Sequence, residues 1–107
     1  MNKLRLRKDS DFKNVYRKGK SFSTKILVFY FLKNNLGYSR IGFSISKKVG
    51  NAVTRNKIRR LIKENLKDMP DLKDGYDIIF IGRIPSSESD FNQIGKSIRY
   101  LFKKSGV

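Results

Sequence analysis

The sequence lacks cysteine, histidine and tryptophan entirely, and only 9 of its 107 residues are acidic. Without cysteine, the chain can form neither a disulfide scaffold nor a thiolate metal site. Without histidine, it lacks the usual general base and the commonest transition-metal ligand. No stretch approaches the length of a transmembrane helix, and no apolar segment of signal-peptide length follows the basic N-terminus. We therefore expect a cytoplasmic protein with no membrane contact, no protein-held metal and no catalytic side chains of its own.

Basic residues dominate what is present, since 25 Lys and Arg give the chain a net charge of +16. A charge of this size opposes compaction and is easiest to understand if a polyanion partner neutralises it. The bases are concentrated in residues 1–20 and 47–63, whereas residues 64–90 carry seven acidic residues and only three basic ones. This distribution predicts a basic surface that is built from two separated segments.

The length and the periodic apolar runs predict one domain, residues 1–107, with an α+β fold and a single, mostly antiparallel sheet. Ser10 is a candidate N-cap of a short first helix that ends near Gly19, and two strands at 26–32 and 41–45 flank a hairpin connection at 34–37. A further short strand is possible within 17–24. Helical spacing returns at 58–66 and ends at Met69-Pro70, a third strand follows at 78–81, and Ser86, Ser87 or Ser89 caps a last helix that reaches Phe102.

The segment 47–63 is the most informative part of the chain. On a helical projection its basic residues form one continuous band opposite the apolar Ile58, Leu61 and Ile62. Gly50 and Asn51 can adopt unusual backbone angles before this helix, which would leave N–H groups free near its start. We predict that this band binds RNA through the side chains of Lys47, Lys48, Asn51, Arg55, Asn56, Lys57, Arg59, Arg60 and Lys63. A solvated helix face is the competing interpretation, but seven bases with no acid disfavour it.

Two other groups of residues allow more than one interpretation. Phe12, with Val15 and Leu6 nearby, has the spacing of a core residue, although exposed aromatic side chains can also stack on single-stranded bases. Both faces of the strand 26–32 are apolar, so helices should cover one face fully and the other face only in part. We assign Phe43, Phe80, Phe91 and Phe102 to the core.

The aspartates at 68, 71, 74 and 77 are spaced by three along the chain. Because Pro70 and Gly75 interrupt any helix there, this spacing favours a solvated acidic loop over a metal site.

The fourteen residues from Lys47 to Arg60, KKVGNAVTRNKIRR, resemble the signature of the bacterial ribonuclease P protein subunit, and the likeness extends along almost the whole chain. One departure is Lys57 at the third position of the Arg-Asn-Arg triplet, which keeps the charge but loses the planar guanidinium. The resemblance implies an α-β sandwich with a left-handed βαβ crossover. It also implies a protein that binds the ribonuclease P RNA and the 5′ leader of precursor tRNA, with no obligatory protein partner.

In that family the RNA, with Mg²⁺ bound mainly by the RNA, removes the leader, so the resemblance implies an endoribonuclease whose protein subunit carries no catalytic residues. It further implies that Phe12, Tyr16 and Tyr30 line the cleft that binds the leader. Two alternatives remain open: a ribosomal or other structural RNA-binding protein, and a DNA-binding protein that inserts residues 55–63 into the major groove. A DNA-binding protein would be expected to form a dimer, and no spare apolar surface is evident for one.

Overall fold

A computed structural model describes residues 3–69 and 73–107, in which three α-helices pack on one five-stranded sheet. In chain order the elements are β1 (Lys3–Arg5), α1 (Asp9–Lys18), β2 (Lys20–Ser23), β3 (Leu27–Lys33), β4 (Ser39–Ser44), α2 (Ala52–Lys67), β5 (Tyr76–Gly82), a 3₁₀ helix (Ile84–Glu88) and α3 (Phe91–Ser105). The single α+β domain is confirmed. Pro70 and Asp71, which enter the predictions for the end of α2 and for the acidic loop, lie outside the described residues.

The strand order is β1-β4-β5-β3-β2, and it corrects two predictions. Strand β5 lies between β3 and β4, so the predicted hairpin between those two strands is wrong; the hairpin joins β2 to β3 instead. The sheet is mixed rather than mostly antiparallel, because β1–β4 and β4–β5 are parallel pairs. The possible strand within 17–24 is confirmed as β2. The unit β4–α2–β5 is a βαβ crossover, whose predicted left-handedness stays a prediction.

One face of the sheet is closed by α2 and α3. Phe29 and Phe80 are fully buried there, with ring centroids 5.3 Å apart on neighbouring strands. Ile58 and Ile62 of α2 and Ile98 of α3 pack into the same cluster, which confirms the predicted apolar side of α2. At about 25 cal/mol per Å² of buried apolar surface, this cluster is the main source of stability.

The opposite face is covered by α1 alone. Val15 of α1 and Leu6, which follows β1, pack on Ile79 of β5, and all three are buried. Phe12 and Tyr30 are only partly buried beside them. The prediction that one face is fully covered and the other only in part is therefore confirmed.

Two helix starts differ from the predictions, because α1 has no side-chain cap and α3 is capped by a residue other than serine. Helix α1 begins at Asp9 after Lys8, with no side-chain cap, so Ser10 lies inside its first turn. Helix α3 is capped by Asp90 in a reciprocal capping box with Gln93, rather than by a serine; the predicted serines lie in or just after the 3₁₀ helix.

Gly19 and Gly50 both have ordinary negative φ angles, so neither needs the freedom of a left-handed residue. Gly19 follows α1 in extended conformation, and a Cβ there would lie 2.6 Å from the Val15 carbonyl oxygen. A Cβ at Gly50 would lie 2.8 Å from the Thr54 side chain. The unusual backbone angles predicted before α2 are therefore absent, and close packing is what both positions require.

Candidate RNA interface

The start of α2 is fixed by a local hydrogen bond. The Asn51 side chain accepts from the Thr54 backbone N–H at 3.0 Å, which satisfies one of the donors that every helix leaves free at its start. Asn51 thus has a structural use besides any contact with RNA. Val53, in the same first turn, is 78% exposed, so the beginning of α2 projects into solvent.

The predicted basic band lies on the outer side of α2 and on the loop before it. Seven of its nine side chains are exposed: Lys47, Lys48, Asn51, Asn56, Lys57, Arg60 and Lys63. Arg55 and Arg59 are half-buried. The exposure that phosphate contacts require is present along the whole band, while the contacts themselves stay a prediction.

Two local contacts involve the arginines of this band, and a third arginine has an unpaired donor. Arg59 donates from Nη1 to the Asn56 side-chain oxygen at 2.7 Å, which fixes both side chains on the helix surface. Arg60 Nε lies 3.7 Å from the Glu64 carboxylate, a long and exposed ion pair that contributes little to stability. Arg55 Nε is buried and has no hydrogen-bond partner within the described residues.

The three predicted cleft aromatics form one cluster between α1 and the sheet. The ring centroids of Phe12 and Tyr16 are 6.3 Å apart, and those of Tyr16 and Tyr30 are 4.9 Å apart in an edge-to-face arrangement. Tyr16 is 38% exposed, whereas Phe12 and Tyr30 are half-buried. The cluster thus belongs partly to the core of this face and partly to its surface.

Phe12 lies directly on the backbone of β4. A Cβ at Gly42 would lie 2.5 Å from Phe12 Cζ, so the ring occupies the space that any side chain at this position would need. Glycine is therefore required at position 42 for α1 to approach the sheet this closely. The same contact holds the Phe12 ring at the base of the cleft.

An open cleft of about 680 Å³ runs past this cluster, and its walls are mostly basic and aromatic. It is lined by Arg5, Leu6, Arg7, Asp9, Phe12, Lys13, Tyr16, Phe43 and Ser44. Tyr30 is outside this lining and contributes through its contact with Tyr16. The sequence indicated a basic N-terminal segment, but it gave no reason to place Arg5 and Arg7 at the cleft, because their position depends on β1.

Phe43 connects the cleft to the basic band. The prediction that it is a core residue holds only in part, since it packs against the main core and is half-buried at the cleft wall. Arg5 Cζ lies 6.0 Å and Lys63 Nζ lies 5.6 Å from its ring centroid, distances typical of cation–π contacts. Lys63 therefore brings the end of the band to the cleft, and the two form one surface.

Helix α1 is anchored to the sheet by an arginine between two carboxylates. Arg40 donates to both oxygens of Asp77, at 2.8 Å from Nε and 2.6 Å from Nη2, and lies 3.3 Å from Asp11 of α1. The hydrogen bond that Arg40 donates to Asp77 raises the pKa of Arg40 above its ordinary value, so the guanidinium stays charged. Asp77 is 3% exposed and lies in β5, which corrects its assignment to a solvated loop.

The described residues contain no group of three or more acidic side chains that could hold a metal ion, and no helix among them is both long and apolar enough to cross a membrane. Asp11 and Asp77 are engaged by Arg40, and among the described residues Asp9 is the carboxylate that lines the cleft.

An acid-poor basic helix beside an aromatic cleft is the combination that proteins use to bind single-stranded nucleic acid. Comparison with known proteins defines this class of proteins further. Residues 1–106 match the family model described as Ribonuclease P. The chain is 54% identical to the ribonuclease P protein component of Clostridioides difficile over 95% of this chain and 91% of the relative. It is 45% identical to that of Clostridium botulinum over 100% of this chain and 98% of the relative.

Solved structures give the same result. The RNase P protein of Staphylococcus aureus superposes with a TM-score of 0.90 at 39% identity, over 97% of this chain and 96% of that one. The protein from Thermotoga maritima gives a TM-score of 0.84 at 32% identity, over 94% and 96%. The chain belongs to the ribonuclease P protein family, the protein components of a tRNA-processing endoribonuclease. Family membership decides against the ribosomal and DNA-binding alternatives.

Proposed function

We propose that the chain binds the ribonuclease P RNA through the basic band of α2 and holds the 5′ leader of precursor tRNA in the aromatic cleft. The RNA, with Mg²⁺ that it binds mainly itself, then cleaves the leader in the cytoplasm. The observation that carries this proposal is the single surface on which an acid-poor band meets a solvent-open cleft through Lys63 and Phe43. The band neutralises phosphates, and the cleft receives unpaired bases.

The chemistry of the cleft supports a single-stranded occupant. Its walls place Arg5, Arg7 and Lys13 around the Phe12 and Tyr16 rings. Proteins that bind single strands combine such cations, which contact the backbone, with aromatic rings on which bases stack. The 5′ leader is single-stranded and is absent from mature tRNA, so a cleft that holds it distinguishes precursor from mature tRNA.

The chain's own side chains are unsuited to hydrolysis of a phosphodiester bond. It has no histidine or cysteine, and in the part of the chain that the structure describes the carboxylate that lines the cleft, Asp9, lies among cations. General acid–base catalysis needs a titratable group near the reacting bond with a pKa close to the working pH. The protein therefore orients the precursor tRNA and neutralises phosphates of the RNA. Its RNA partner provides the metal-dependent chemistry.

The test is a cleavage assay with purified components. Precursor tRNA is mixed with ribonuclease P RNA, with and without the protein, at low Mg²⁺ concentration. We expect the protein to raise the rate at which the 5′ leader is removed and to lower the Mg²⁺ concentration required. A rate that does not change on addition of folded protein would contradict the proposal.

A further inference from the structure

The outward face of α3 is basic and has no part in the interface described above. Seven of its side chains are exposed, and they are Asn92, Gln93, Lys96, Arg99, Tyr100, Lys103 and Lys104. On a helical projection they fall within an arc of about 140°. Four are basic and none is acidic, and no acid occurs anywhere in residues 91–107.

The other two helices differ in this respect. Helix α1 carries Asp9 and Asp11, and α2 carries Glu64 beside Arg60. A face that only keeps a protein in solution normally mixes both signs of charge, because one sign alone produces self-repulsion. The acid-free face of α3 is therefore better explained by an anionic partner than by solubility.

An exposed aromatic ring lies within this basic face. Tyr100 is 51% exposed, and Lys104 Nζ lies 6.0 Å from the Tyr100 ring centroid and 6.0 Å from that of Phe22 in β2. The two rings hold the Lys104 ammonium in place, which lowers the entropic cost of using it for binding. Cation and aromatic ring together repeat the combination found at the cleft.

The α3 face and the cleft lie at opposite edges of the sheet. Lys104 contacts β2, the last strand in the order β1-β4-β5-β3-β2, whereas Arg5 and Lys63 meet at Phe43 beside β1. Phe43 lies in β4, so three strand spacings of about 4.8 Å, or about 14 Å, separate it from Phe22 in β2. One base and its phosphate cannot contact both surfaces, so each surface needs its own segment of partner.

Helix α3 is also held rigidly. The side-chain amide of Asn65 in α2 donates to the Phe91 carbonyl at 3.1 Å, and a Cβ at Gly95 would lie 2.4 Å from the Asn65 side-chain oxygen. Ile94, Ile98 and Leu101 of α3 are fully buried. The apolar side chains of the helix are thus buried in the core and cannot insert into a lipid bilayer. This disfavours a membrane surface as the partner.

We propose that the outward face of α3 is a second RNA-binding surface, in which Lys96, Arg99, Lys103 and Lys104 contact phosphates and Tyr100 stacks on an unpaired base. The proposal rests on the proposed function, since the RNA concerned is that of the ribonuclease P complex. One copy of the protein then joins two RNA segments, one at the cleft edge and one at the α3 edge.

The first test measures how the affinity of the full chain for ribonuclease P RNA depends on salt. Lys96→Gln with Lys103→Gln should reduce the slope of log affinity against log salt by about two, because two phosphate contacts are lost. The matched control is Lys33→Gln with Lys73→Gln, which removes two exposed lysines outside both surfaces. It should leave the slope unchanged. Equal slopes for the two double variants would overturn the proposal.

The second test locates the RNA by photo-crosslinking in the assembled complex. A benzophenone amino acid at position 100 should crosslink to RNA nucleotides that differ from those captured by the same group at position 16. No crosslink at position 100, or a crosslink to the same nucleotides, would refute a second surface. Weaker binding of Lys96→Gln/Lys103→Gln to phosphatidylglycerol vesicles with an unchanged RNA slope would likewise refute it and indicate a membrane partner.

The two proposals fail in different ways. If the cleft does not bind the leader, substitutions there leave the preference for precursor over mature tRNA unchanged, whatever the α3 variants do. If α3 does not bind RNA, its variants keep the wild-type salt slope even while the protein still accelerates cleavage.

Discussion

The two faces of the sheet are built from the same kind of apolar sequence, but one forms the sealed core and the other forms the open cleft. Strand β3 places Phe29 toward α2 and α3, where it is fully buried, and Tyr30 toward α1, where it is half-buried. Two helices seal the first face, whereas the ten-residue α1 covers only part of the second. The second face therefore forms a cleft because α1 covers it only in part, and not because its strands have a special sequence.

The two faces should differ most in how much an aromatic side chain on each contributes to the free energy of unfolding. Phe80→Ala should lower the free energy of unfolding by about 3–5 kcal/mol, because it leaves a cavity in the sealed core. Tyr16→Ala, on the open face, should cost about 1 kcal/mol or less, since water already reaches the ring. Urea unfolding of both variants provides the measurement. Similar losses for the two variants would mean that the faces do not differ as described.

The attachment of α1 to the open face depends on one charged cluster. Asp77→Asn should cost about 2–3 kcal/mol, because it leaves the partly buried Arg40 guanidinium without its main counter-charge. Glu64→Gln removes a carboxylate from the exposed pair with Arg60 and should cost less than about 1 kcal/mol. Thermal unfolding, followed by circular dichroism, compares the two. An equal shift in Tm would show that Arg40 does not anchor the helix.

Phe12 belongs to both the core and the cleft. Phe12→Ala should weaken binding of precursor tRNA by about tenfold, as expected for one lost stacking contact, and leave mature tRNA almost unaffected. Because the ring also packs on Gly42, a loss of about 2 kcal/mol in stability should accompany this change. Equilibrium binding of the reconstituted enzyme measures the first effect, and urea unfolding measures the second.

The matched control for Phe12 is Gly42→Ala, whose added methyl group occupies the position of the ring. It should displace Phe12 and weaken precursor binding without removing the aromatic side chain. In the double variant the two losses should not add, because both act on one contact. Additive losses would mean that Gly42 does not position Phe12.

The basic band should bind RNA phosphates without distinguishing precursor from mature tRNA. Replacing Arg59 and Arg60 together by alanine should lower the affinity for ribonuclease P RNA and reduce the salt slope by up to about two. Stability should change by less than about 0.5 kcal/mol, since neither side chain supports the core. An unchanged slope would show that these guanidinium groups do not contact phosphate.

Local sequence predicted the parts of the molecule that depend on local spacing. The buried side of α2 and the exposed basic band follow from the 3.6-residue period, and the structure has both. The same is true of the two apolar faces of β3, of which one is fully covered and the other only in part. The resemblance, not the spacing, brought Phe12, Tyr16 and Tyr30 together, because helical spacing at Phe12 is equally typical of a core residue.

What local sequence did not predict depends on long-range pairing. The insertion of β5 between β3 and β4 brings residues about forty positions apart into register, as Arg40 and Asp77 illustrate. Their ion pair, and the placement of Arg5 beside Phe43, follow from that strand order and carry no local signal. The caps were missed for a different reason, since several Ser and Asp side chains near each helix start can fill that position.

In the proposed function the cleft, and not the basic band, recognises the leader. The most direct measurement is the ratio of affinities for precursor and mature tRNA in the reconstituted enzyme, with Tyr38→Ala as a matched tyrosine control. We predict that Tyr16→Ala lowers this ratio by about tenfold, and that Tyr38→Ala and the Arg59/Arg60 double variant leave it unchanged. A ratio that Tyr16→Ala does not change, or that the arginine variant lowers equally, would contradict the account.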